Sequence, residues 1–76
     1  MTRTLAVNIW REGDGYVSHC PELDIASQGD TVEEARTNLQ EAVDLFFETA
    51  DPSEAAERLK AEIYVTTMEV NIGEAA

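Results

Sequence analysis

The chain has 76 residues, 43% hydrophobic and 28% charged, a balance that excludes a disordered polymer and allows one domain with a small core. Acidic residues number 16 against 5 basic ones, and the net charge of −11 disfavours nucleic-acid phosphates and anionic membranes while favouring basic protein partners. The only cysteine, Cys20, excludes an intrachain disulfide and suits a reducing cytoplasm.

The apolar stretch near the N-terminus is too short and too interrupted for a signal peptide or a membrane span. Residues 4–10 (TLAVNIW) alternate Leu5, Val7 and Ile9 on one face with Ala6, Asn8 and Trp10 on the other, which predicts a strand. Gly13 and Gly15 flank Asp14 in a turn, and residues 16–20 return as the second strand of a hairpin. Pro21 has no N–H for a ladder and ends that strand or confines it to an edge. Residues 23–27 predict a short third strand, and Gln28, Gly29 and Asp30 turn the chain into a helix.

Thr31 suits the N-cap, with Glu34 three residues later to complete a capping box. Glu33 and Glu34 sit well at the positive end of the helix dipole. Val32, Ala35, Leu39, Ala42, Val43 and Phe46 form one apolar stripe. Arg36, Asn38, Gln40, Glu41 and Asp44 are expected in solvent, and Leu45 and Phe47 fall outside the stripe. Asp51, Pro52 and Glu54 predict the start of a second, short helix ending near Lys60. Residues 63–72 (IYVTTMEVNI) predict the last strand. Tyr64, Met68, Val70 and Ile72 lie on one face and Ile63 and Val65 on the other, a pattern expected of a strand covered on both sides. Glu74, Ala75 and Ala76 are expected to fray. The order is βββαβ with a short extra helix, an α+β unit of one sheet with helix on one face, occupying residues 1–76 as a single domain.

The residues GYVSHCPELDIASQGDTVEEARTNLQEAVDLFFE resemble the HicB family of type II antitoxins. The match rests on Tyr16-Val17, Cys20-Pro21-Glu22-Leu23, Ser27-Gln28-Gly29-Asp30-Thr31 and Glu33-Glu34-Ala35 with Asn38 and Leu39. The first and last strands match in position and character, so the likeness spans about residues 4–72. The resemblance implies a reduced RNase H-like fold of order βββαβ. It also implies binding to a HicA-type partner, a small basic mRNA-cleaving toxin whose active site the antitoxin occludes. Longer family members carry a C-terminal DNA-binding region. The chain here stops after its predicted last strand without a basic helix to read a major groove, so direct nucleic-acid binding is not expected.

His19 and Cys20 are the types of a base and a nucleophile, but neighbours on a strand point to opposite faces. Asp14, Glu22, Asp24 and Asp30 could form a carboxylate cluster for Mg²⁺ or Ca²⁺, the basis of a residual metal-dependent nuclease. The first strand, however, has Asn8 and no acid, and solvated turn acids are the plainer reading. Gly13, Gly15 and Gly29 form no phosphate-binding pattern and read as turn residues. Trp10, Tyr16, Phe46, Phe47 and Tyr64 read as core or interface residues, because five scattered basic residues cannot support base stacking electrostatically. Glu33, Glu34, Glu41, Asp44 and Glu48 follow the exposed side of the main helix, as a solvated face or a docking surface for a basic protein.

The expectation is a non-enzymatic cytoplasmic antitoxin domain with no cofactor and no metal. Glu22, Asp24, Tyr64 and Met68 are its candidate partner-binding residues. A homodimer or higher homo-oligomer is also expected, because a short chain gains from a second copy covering the last strand. The alternative is a stand-alone homo-oligomeric structural or regulatory domain with no toxin.

Overall fold

The computed structural model describes residues 2–73; the expected fraying of Glu74, Ala75 and Ala76 lies outside them. The elements are β1 (Asn8–Glu12), β2 (Gly15–Cys20), β3 (Ile25–Gly29), α1 (Val32–Thr49) and α2 (Pro52–Arg58). The strands form an antiparallel sheet in the order β1-β2-β3. The protein is therefore α+β, with α1 laid across one face of a three-stranded sheet.

The first hairpin turns at Gly13, whose φ of +59° is the left-handed conformation that glycine adopts without cost. Its register sets Ile9 opposite Ser18, and Ser18 opposite Ser27. Side chains on this parity face the helix. The other parity, with Trp10, Val17 and Gln28 in one row and Asn8, His19 and Ala26 in the next, forms the outer face. Strand boundaries differ from expectation at both ends of the meander. Pairing begins at Asn8 and runs on to Glu12, leaving residues 4–7 outside the ladder, and β3 begins at Ile25 because residues 21–24 make the turn.

Helix α1 follows its local signals. Thr31 is extended at φ −131°, ψ 165°, and its hydroxyl accepts from the Glu34 N–H at 3.0 Å. The Glu34 carboxylate reaches back to the Asp30 N–H at 3.3 Å, one residue before the cap. Ala35 and Leu39 are buried, and Val43 and Phe46 pack against the core. Val32, assigned to the apolar stripe, is 44% exposed, since the first turn overhangs the end of the sheet. Asn38, expected in solvent, is half-buried and donates to the Gln28 carbonyl at 2.7 Å, tying α1 to β3. Helix α2 starts as expected, with Asp51 Oδ1 accepting from the Ser53 N–H at 3.3 Å and Pro52 in the first position.

The core is Cys20, Leu23 and Leu39, flanked by Leu5, Ile25, Val43, Phe46 and Leu59. Ser18 is fully buried at the centre of β2 and donates to the Ala35 carbonyl at 2.7 Å, so the helix can approach closely without an orphaned polar group. Gly29 marks the tightest approach. A Cβ there would stand 2.5 Å from the Ala35 nitrogen.

The predicted last strand is corrected. Residues 63–72 join no sheet, and every residue from 61 to 73 is exposed. The Cα radius of gyration is 15.3 Å with a longest extent of 52 Å, whereas a compact chain of this length would have a radius of about 11 Å. Alternation makes a segment competent to be a strand; it does not say which edge receives it.

Candidate functional site

The turn between β2 and β3 carries two of the sequence-predicted binding residues, and the fold treats them differently. Leu23 is fully buried and anchors the turn in the core. Its carbonyl accepts from the Arg58 guanidinium, which also lies over the Phe46 ring, 5.0 Å from the centroid, and pairs with Glu54 at 3.3 Å. Glu22 points inward along this anchored turn. Both its oxygens accept from the Ala6 N–H, at 3.2 and 3.0 Å, so the carboxylate clamps the N-terminal segment to the sheet. Asp24 sits at φ +53° with its side chain 92% exposed. His19 Nε2 stands 3.0 Å from Asp24 Oδ1.

Tyr64 and Met68 are 80% and 82% exposed on the C-terminal segment. They lie on a different part of the chain from the Glu22–Asp24 turn. The Tyr64 hydroxyl donates to Glu62, which raises its pKa. The four expected binding residues thus divide into an internal clamp, an exposed turn acid and two exposed side chains of the projecting segment.

His19 and Cys20 lie on opposite faces of β2. Cys20 is 1% exposed within the core, and His19 is on the outer face. Burial, and then the neighbouring Glu22 carboxylate, push the Cys20 thiol up and disfavour its thiolate. Strand geometry also separates the turn acids. Asp14 and Asp30 lie at one end of the meander and Glu22 and Asp24 at the other, with β2 between them, a span of about 17 Å at 3.3 Å per residue. Among the described residues, no three His, Cys, Asp or Glu side chains are grouped to hold a metal ion.

Two surface features remain. A polar groove of about 670 Å³ runs beside the start of α1 and includes Glu12, Tyr16, Asp30, Glu34 and Asn38. A second groove of about 700 Å³ lies between the N-terminal segment and α1, with Leu5, Val7, Val43, Phe47 and Leu59 along its walls and Cys20 and Leu39 within it. Asp44 stands at the wall of the second groove, and Glu33, Glu41 and Glu48 are exposed along α1 beyond the grooves. Arg3 and Arg58 are tied to the backbone instead, donating to the Leu59 and Leu23 carbonyls.

Sequence reasoning missed Ser18, Asn38 and Arg58 as ties between elements. Each bonds a backbone carbonyl at least ten residues away, and no local pattern signals such a bond. No helix of the described residues is long and apolar enough to cross a membrane. No family model matches this chain, and no curated protein or solved structure matches it.

Proposed function

We propose that this chain is a HicB-like antitoxin domain that binds and masks a small basic HicA-type toxin in the cytoplasm. The observation that carries the reading is the CPEL, SQGDT and EEA series in its order along the chain, placed on a surface of net charge −11. The motif residues do structural work: Cys20, Leu23, Ala35 and Leu39 are buried, and Thr31 caps α1. Recognition then falls to the exposed acids of α1 and to Asp24. Acids of this kind speed encounter with a basic partner and set its register. The proposed fold is reduced RNase H-like, with the three strands and α1 as its body.

Full-length protein used as bait in its host is expected to retain a basic HicA-type protein and to suppress RNA cleavage by it. Glu41→Lys, Asp44→Lys and Glu48→Lys together should weaken that capture at least tenfold, because exposed charges on α1 can be reversed without disturbing the core. Failure of the unaltered chain to bind any HicA-type protein would remove the antitoxin reading. The exposed 63–72 segment favours the second reading, a stand-alone homo-oligomer with a structural or regulatory role.

A further inference from the structure

The second groove and the segment 63–72 are both exposed and mainly apolar. Helix α1 packs chiefly over β3 and β2 and less over β1. The groove is walled by the N-terminal segment that leads into β1, by α1 and by Leu59, and Val7 and Phe47 on its walls are 43% and 39% exposed. Among the described residues, the outer edge of β1 has no neighbouring strand, since β1 pairs there with β2 alone. A sheet edge beside an apolar groove receives an added strand through main-chain bonds and takes alternate side chains into the groove.

The segment 63–72 has the matching chemistry. Tyr64, Met68, Val70 and Ile72 share one face and are 64–82% exposed. Glu69 is its only charged residue, so its approach to another copy of this acidic chain meets less repulsion than any acid-bearing face of the body would. Ten residues of strand reach about 33 Å. At its root, the Leu59 carbonyl is held by Arg3 at 2.8 Å, and beyond that anchor the segment leads away from its own groove with every residue exposed.

We propose that residues 63–72 of one copy add as a strand to the β1 edge of a second copy, with Tyr64, Met68, Val70 and Ile72 in the second copy's groove. Applied in both directions, the exchange closes a two-fold dimer in which each sheet gains its fourth strand. The inference concerns a second copy of this chain and stands whether or not a toxin partner exists.

The test is the mass of the full chain by light scattering at micromolar concentration, with two sets of variants. The expected mass is twice the 8.4 kDa of one chain. Met68→Asp is expected to give the single-chain mass with helical circular dichroism unchanged, because Met68 is 82% exposed in its own chain. Copies with Val7→Cys mixed with copies carrying Met68→Cys are expected to form a disulfide-linked pair under mild oxidation. A single-chain mass for the unaltered protein would overturn the proposal, as would a dimer that survives Met68→Asp. An intrachain disulfide in the Val7→Cys/Met68→Cys double variant, without cross-linking between mixed copies, would place the segment on its own groove and also overturn it.

Discussion

Ser18 occupies the middle of the middle strand, and its size sets how near α1 can come. A larger side chain would push the helix away; the serine hydroxyl instead reaches the Ala35 carbonyl at 2.7 Å. Leu39 fills the space beside it, 2% exposed against Cys20 and Leu23. Leu39→Ala is expected to cost about 2–5 kcal/mol through lost transfer energy and the cavity left behind. Urea denaturation followed by circular dichroism measures this, and a change below 1 kcal/mol would mean that the site collapses around the smaller residue. Cys20 supplies a pH-dependent check on the same core. Its folded thiol is pushed up by burial and by Glu22, so in alkaline solution the unfolded chain loses its proton first. The stability tied to the neutral thiol is complete below the ordinary thiol pKa of about 8.5 and is lost as pH rises past it. Cys20→Ala should flatten that alkaline decline in a pH series of unfolding midpoints. Alkylation of Cys20 in the folded protein should likewise be slow at neutral pH and rise on denaturation.

At the scale of the element, α1 was the most legible part of the chain. Its cap, its acidic first turn and its stripe are all local, and Thr31, Ala35 and Leu39 do what their spacing implies. Tertiary ties were not legible. Glu22 reads as a free acid in sequence, and only the fold brings the Ala6 N–H to it from 16 positions away. Residues 63–72 illustrate a different limit: their alternation is a property of the segment, whereas the edge that accepts them is a property of another surface. Two substitutions at the start of α1 separate local from tertiary effects. Thr31→Ala removes a cap bond at the exposed end of the helix and should cost about 1 kcal/mol. Gly29→Ala places a methyl group 2.5 Å from the Ala35 nitrogen, a backbone atom that cannot move alone. The whole helix must shift, so the loss should be larger, about 1–3 kcal/mol. Thermal unfolding of both variants ranks them. A Gly29→Ala protein as stable as Thr31→Ala would show that α1 slides on the sheet without cost.

At the scale of the molecule, charge and apolar surface pull in opposite directions. The body repels its own copies, each of net charge −11, while the exposed apolar residues of segment 63–72 favour association. Long-range repulsion reaches about 30 Å at 0.01 M salt and only about 10 Å at 0.1 M. Apolar burial is not weakened by such salt. The homodimer should therefore tighten as sodium chloride rises from low to physiological concentration, by about tenfold in dissociation constant, or 1.4 kcal/mol. Capture of a basic protein by the α1 acids must respond with the opposite sign, because screening removes the attraction that steers it. Sedimentation equilibrium across a salt series, for the chain alone and then with the proposed HicA-type protein, reads both signs on one preparation. A homodimer that loosens with salt would mean that ion pairs hold the copies together, and strand exchange into the apolar groove would no longer account for the association.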